Sequence, residues 1–187
     1  GSITIPARLM SDFISSLPKE SVELKVVNDN LHIKSSSYNS IINGFIADDF
    51  PELPTINETS SIQYTINVED FKQAVSQTII TTSNDTTRPV LNGVYWHSHE
   101  GWLYLAATDG YRLSERKLVE TKSEVSAIIP TQTLQEVLRN ITEESEQIDI
   151  LFDETQVRFR INDLEIISRL IDGNFPDYRQ LLPKTLE

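Results

Sequence analysis

The chain has 187 residues, 39% of them hydrophobic, enough for one ordinary domain or one and a half small ones with a true core. A formal net charge of −12 argues against a protein that coats nucleic acid through bulk charge, and the lack of cysteine excludes a disulfide framework, thiolate catalysis and a cysteine-ligated metal. No apolar run reaches the roughly 18 residues of a membrane span, and GSITIPA lacks the basic and apolar regions of a signal peptide, so a cytoplasmic setting is expected.

The first segment opens with a short strand at Ile3–Ile5, ended by Pro6. Leu9, Phe13, Ile14 and Leu17 then recur at helical spacing until Pro18. Alternation over Val22–Val27 predicts a strand, Asn28-Asp29-Asn30 a hairpin turn, and Leu31–Ser35 and Ile41–Ile46 two further strands. Asp48–Pro54 reads as an acidic loop, and the polar stretch 55–61 as a domain boundary.

A second segment starts at Ile62 with a strand through Ile66. Asn67 is the predicted N-cap of a helix that presents Phe71, Val75 and Ile79 on one face. Residues 81–89 show no periodicity and read as a loop. Val90–Trp96 and Trp102–Ala106 read as paired strands, Thr108-Asp109-Gly110 as a turn, and Tyr111–Leu118 as an extended continuation. The third segment repeats the plan. Val125–Ile129 is a strand, Thr131 or Thr133 caps a helix bearing Leu134, Val137, Leu138 and Ile141, and Ile148–Phe152, Gln156–Ile161 and Glu165–Leu170 are strands.

The repeat is visible in the letters. ITIPARLMSDFISSLP leads to FIADDFPELP, and AIIPTQTLQEVLRNIT leads to LIDGNFPDYRQLLP at nearly the same distance. INVEDFKQAV and LAATDGYRL occupy the corresponding places of a more divergent middle copy. Each copy reads β-α-β-β-β. Two copies together give an α+β domain, because each amphipathic helix and half-buried sheet must cover the other. The last two copies therefore make a domain over 62–187, from units 62–124 and 125–187, and the copy over 3–57 lacks a twin. That copy is expected to expose a sheet edge and apolar surface, and to self-associate or be marginally ordered.

RPVLNGVYW at 88–96, LAATDGYRLSER at 105–116 and LIDGNFPDYRQLLP at 170–183, in that order, make the chain resemble the bacterial sliding clamp, the beta subunit of DNA polymerase III. The resemblance implies the DNA-clamp fold, with antiparallel sheets outside and helices on the DNA-facing side. It places 3–57 as the second half of the first domain and 62–187 as the second domain. It further implies a non-enzymatic processivity factor without cofactor or metal, whose full-length form is a head-to-tail homodimeric ring around duplex DNA. Its expected partners are the polymerase alpha subunit, the clamp loader and repair proteins, which dock through a linear motif.

In the family a hydrophobic pocket accepts that motif, and the matching positions here are Leu91, Thr108, Gly110, Tyr111, Arg112, Leu113, Pro176, Gln180 and Leu181. Leu91, Leu113, Pro176 and Leu181 would supply apolar anchors, and Arg112 with the turn backbone would hold polar atoms. Gln180 stands where the family often has arginine, and Tyr111 where histidine is common. Leu91 and Leu113 also read as plain strand core, Thr108-Asp109-Gly110 as a plain turn, and Pro176 as a strand terminator, since Phe50-Pro51 repeats Phe175-Pro176. Sequence-independent contact with phosphates would come from Arg8, Lys72 and Arg139 on the helices and from Asn84 and Arg88 in the 81–88 loop, a weak set for a duplex. Lys72 and Arg139 read equally as solvated helix charges.

Two other chemistries are considered. His97 and His99 beside Glu100 have a spacing that can ligate metal, but without a further ligand they read as a solvated hairpin tip. Asp109, Arg112 and Tyr111 are the residues a small α+β hydrolase would use, with Asp109 and Arg112 otherwise forming a local ion pair. Asp48-Asp49 and Asp172 recur in equivalent loops, which favours a role in the fold.

Overall fold

The computed structural model describes residues 1–51, 56 and 61–182. The chain divides into two compact units, Gly1–Pro54 and Thr55–Glu187. Most of the predicted boundary at 55–61, and the last residues of the predicted second domain (183–187), lie outside the described residues.

In the first unit, α1 (Ala7–Ser16) follows Pro6 and lies on a three-stranded antiparallel sheet of β1 (Glu23–Val27), β2 (Asn30–Lys34) and β3 (Asn39–Asn43). Its core is small: Leu31, Ile33 and Ile42, backed by Ile3, Ile5, Met10, Phe13, Leu17, Val22 and Val26. The helix face thus runs through Met10, Phe13 and Leu17. Leu9 and Ile14, expected on that face, are 53% and 38% exposed. The predicted strand Ile3–Ile5 reduces to one antiparallel bridge, Thr4 to Phe45, and the third strand ends at Asn43, short of Ile46. Asn28 and Asp29 take positive φ, as the hairpin turn requires.

The second unit holds both complete repeats. Its strands are β4 (Ile62–Asn67), β5 (Gly93–His99), β6 (Trp102–Thr108), β7 (Leu113–Glu120), β8 (Ser126–Pro130), β9 (Gln147–Phe152), β10 (Gln156–Ile161) and β11 (Leu164–Arg169), with helices α2 (Val68–Ile79) and α3 (Thr131–Asn140). They form two four-stranded antiparallel sheets, β11-β10-β9-β4 and β7-β6-β5-β8. The repeats exchange their first strands: β4, from the first repeat, pairs with β9, and β8, from the second, pairs with β5. Each sheet is therefore completed by the other repeat.

Both sheets and both helices share one core. Val94, Trp96, Leu103 and Leu105 face Ile148, Ile150, Phe152 and Phe159, and Phe71 on α2 sits between Trp96 (6.3 Å) and Phe159 (6.0 Å). At typical transfer values each such side chain contributes about 1.5–3 kcal/mol. Asn67 caps α2 as predicted, its Oδ1 accepting from the Glu69 and Asp70 amides. Neither threonine caps α3. Pro130 occupies the N-cap, the Thr131 hydroxyl donates to the Asn92 carbonyl at 2.8 Å, and Thr133 pairs with the Ser168 hydroxyl.

Candidate functional site: a rim at the end of one sheet

Three segments converge at one end of the β7-β6-β5-β8 sheet: the loop 81–92, the turn 108–113 and the stretch 170–182. The loop is held at both ends. Thr81 donates to the Ala107 carbonyl at 2.9 Å, the Ser83 amide donates to the Leu91 carbonyl at 2.8 Å, and Pro89–Leu91 forms a 3-10 turn. That turn delays the predicted strand start from Val90 to Gly93, because proline fixes its φ and has no amide to give to a ladder. It also buries Leu91, which is 5% exposed.

The turn 108–113 is closed by its own side chains. The Thr108 hydroxyl accepts from the Gly110 amide (3.0 Å) and donates to the Arg112 carbonyl (2.7 Å). Asp109 Oδ1 accepts from the Tyr111 and Arg112 amides, both at 3.0 Å, and its Oδ2 accepts from Arg112 Nε at 2.8 Å. These donors, the Tyr111 amide first and then the Arg112 side chain and amide, hold the Asp109 pKa down at about 2. Gly110 supplies the left-handed step at φ +93 that lets the turn close. Strand β7 accordingly begins at Leu113, two residues later than Tyr111. Tyr111 stands fully exposed and Leu113 half-buried.

The third segment is tied in at Ile171, whose amide donates to the Ile128 carbonyl at 2.8 Å. At Gly173 (φ +127) a Cβ would come within 2.7 Å of Val90 Cγ1, so this loop and the 81–92 loop touch. Pro176 and Gln180 are exposed, and Gln180 donates to the Asp177 carboxylate. Leu181 ends the 3-10 turn Tyr178–Leu181, and its side chain falls outside the described set.

The predicted pocket residues Leu91, Thr108, Gly110, Arg112, Leu113 and Pro176 thus lie on segments that meet. Among the predicted DNA-facing residues, Arg88 belongs at this rim: a Cβ on Gly110 would be 3.9 Å from its Nη1. The three helix cations each pair with an acid on the same helix. Arg8 lies 4.0 Å from Asp12, Lys72 2.9 Å from Glu69 and Arg139 2.6 Å from Glu136. Asn84 is exposed in the loop.

Asp109, Arg112 and Tyr111 do not form a hydrolytic set. The carboxylate is engaged by three donors and held far from the range of a general base, and the phenol points into solvent. His97 is not a solvated tip but a buried strand residue, 7% exposed, with its Nε2 2.7 Å from the Tyr178 hydroxyl. Among the described residues no group of three or more His, Asp or Glu is arranged to hold a metal. Among them, too, no helix is long and apolar enough to cross a membrane. The sequence reading missed Val90, Gly173 and the aromatic residues behind Pro176. The alternation Tyr95-His97-His99 was the available signal, since it puts three rings on one sheet face.

Comparison with known proteins identifies the family. Residues 65–177 match the family described as DNA polymerase III beta subunit, central domain, and residues 1–54 match DNA polymerase III beta subunit, N-terminal domain. The chain is 37% identical to the beta sliding clamp of Bacillus subtilis over 98% of its length and 49% of that protein's. It is likewise 37% identical to the beta sliding clamp of Staphylococcus aureus, covering half of it. Among solved structures, the DNA polymerase sliding clamp of Bacillus subtilis superposes with TM-score 0.86 at 35% identity, over 99% of this chain and 49% of that one. The DNA polymerase III subunit beta of Pseudomonas aeruginosa gives 0.87 at 27% identity, over 98% and 51%. The chain spans about half the length of these relatives.

Proposed function

The chain belongs to the bacterial DNA polymerase III beta subunit family, the sliding clamps, and on that footing we propose that it contributes to a processivity clamp in two ways. It lends helices to a sequence-independent sleeve around duplex DNA, and it presents a rim that docks linear peptides. Its role is binding, not chemistry. The ring closed around DNA is a head-to-tail homodimer in the full-length protein. The docked partners are the polymerase alpha subunit, the clamp loader and repair proteins. Residues 3–57 are half of a first clamp domain and 62–187 a complete second one.

The observation that supports the docking role is the pre-closed turn 108–113. Its hydrogen bonds fix the Arg112 side chain and the Tyr111 backbone, and Gly110 in the same turn approaches Arg88 of the 81–92 loop that carries buried Leu91. A surface ordered before binding loses little entropy on binding, which suits short linear motifs. The weak charge of the helices fits a sleeve that retains DNA by topology instead of grip. Arg8, Lys72, Arg139 and Asn84 are its proposed DNA-facing groups, while Arg88 is assigned to the peptide rim together with Gln180 and Leu181.

Titration of the chain with a fluorescein-labelled peptide rich in Gln and Leu, followed by amide shifts, tests the docking role. Shifts are expected at Gly110, Arg112 and around Pro176. Tyr111→Ala should weaken binding without changing the thermal midpoint, because the side chain is fully exposed. Shifts confined to other surfaces would reject the rim.

A further inference from the structure

Behind Pro176 the outer face of the β7-β6-β5-β8 sheet carries a stack of rings. Tyr95 lies 4.8 Å from His97, and His97 lies 5.7 Å from Tyr104, its cross-strand partner. Phe175 extends the stack over Tyr95 at 4.9 Å, and Tyr178 meets His97 edge-on. The segment that bears Pro176 and Gln180 is thereby pressed onto the sheet through Phe175 and Tyr178, the latter 3% exposed.

A polar chain locks the same contact. The Tyr178 hydroxyl has one proton and donates it to the Glu115 carboxylate. His97 Nε2, 2.7 Å from that hydroxyl, must then be the N–H that donates to its oxygen. Arg179 places Nη2 3.0 Å from Glu115 Oε2 at an angle short of a hydrogen bond, and lays its guanidinium over Tyr104 at 4.6 Å. The order is therefore His97 to Tyr178 to Glu115, with Arg179 as counter-charge, linking β5, β7 and the 170–182 stretch.

We propose that His97, Tyr178, Glu115 and Arg179 are positioning residues for peptide docking: they hold the 175–181 stretch in register against the turn 108–113 without touching the peptide. This rests on the docking role proposed above. The arrangement needs an N–H at His97 Nε2, which the neutral ring and the cation both carry. The groups facing it are Tyr178 and Arg179 from the stretch, Glu115 from β7, Tyr104 from β6, and Tyr95 and His99 from β5. Burial first, and then the nearby Arg179, push the His97 pKa below its ordinary value. A cation there would stand beside Arg179 in a poorly hydrated place. The released state then binds the extra proton more readily, so the cost of burying the cation, and not loss of the Nε2 donor, loosens the stretch as pH falls through the depressed pKa.

The test uses the whole 187-residue chain, comparing parent, Tyr178→Phe, His97→Leu and His97→Gln. Hydrogen exchange at the Ile171, Tyr178 and Leu182 amides, all bonded within or beside the stretch, reads position directly. Anisotropy with the Gln- and Leu-rich peptide reads docking. Tyr178→Phe and His97→Leu should speed exchange at those amides and weaken the peptide about tenfold, since each strands a buried polar group. His97→Gln keeps an N–H donor and should restore both at neutral pH. It should also abolish the weakening that the parent shows on acidification, which a merely structural ring would not do. Unchanged exchange in Tyr178→Phe overturns the positioning role whatever the peptide does. Faster exchange with unaltered peptide affinity overturns the link to docking. Failure of the parent to bind peptide rejects the docking role itself, and exchange still decides whether the four residues position the stretch.

Discussion

Charge on the helices offers a quantitative check of the sleeve. Lys72 and Arg139 sit on adjacent helices, each bound to an acid three residues away, Glu69 at 2.9 Å and Glu136 at 2.6 Å. Those carboxylates are 79% and 44% exposed, so the pairs add little to stability, a few tenths of a kcal/mol at most. What they do is cancel the charge a phosphate would meet. The double variant Glu69→Gln, Glu136→Gln releases both cations without altering shape. If each then neutralises one phosphate, the log–log salt slope for duplex binding steepens by about 1.8, or about 18-fold in affinity between about 20 and 100 mM salt. Anisotropy of a labelled duplex across that range measures it. The parent should give a shallow slope and very weak binding at physiological salt. An identical slope in the double variant would mean these helix faces do not meet DNA, and a sub-micromolar parent affinity at physiological salt would refute the weak-sleeve reading.

Two further outcomes are expected. Gly173→Ala sets a methyl 2.7 Å from Val90 on a backbone at φ +127, so it should lower the urea midpoint by the equivalent of about 1–3 kcal/mol; an unchanged midpoint would show that the two loops do not press on each other. Among its described residues the first unit buries just three hydrophobic side chains, Leu31, Ile33 and Ile42, while Phe45, Ile46 and Phe50 are 53–62% exposed, so its amides should exchange faster than those of β5 and β9 and the chain should self-associate with concentration. Equal protection of both units in a strict monomer would contradict this.

Much of the fold could be read from spacing because local signals dominate there. Asn67 precedes an amphipathic run and caps it, and the alternation of β10 is an unbroken period of two between turn residues. Errors fell where distant contacts override local preference. Leu9 and Ile14 fit a helical stripe, yet the sheet under α1 accepts Met10 and Phe13. Thr131 fits a cap, yet its hydroxyl donates its hydrogen bond to the Asn92 carbonyl across the strand junction. His97 looked like part of a turn because the hairpin ends at Glu100 and Gly101, but β5 runs to His99 and the burial comes from Tyr178, 81 residues away. The site shows the same division. The turn 108–113 is self-closing and visible in its letters, whereas the approach of Val90 to Gly173 depends on how three segments end.

The exchange of first strands explains why the repeat is clear in sequence while its parts behave differently. Because β4 completes the sheet of the second repeat and β8 that of the first, neither repeat is a closed module, and each needs the edge the other provides. The Phe-Pro pair shows the consequence. Phe175 is stacked at 4.9 Å on Tyr95, a residue of β5 in the opposite repeat, while its counterpart Phe50 is 61% exposed. Identical letters therefore do not fix identical environments. The ring under Phe175 comes from the twin repeat, so the motif acquires its anchored form only where two repeats are paired. The proposed docking rim inherits that dependence. Leu91 and Arg112 come from one repeat, Pro176 and Gln180 from the other, and the surface between them exists because their strands are exchanged.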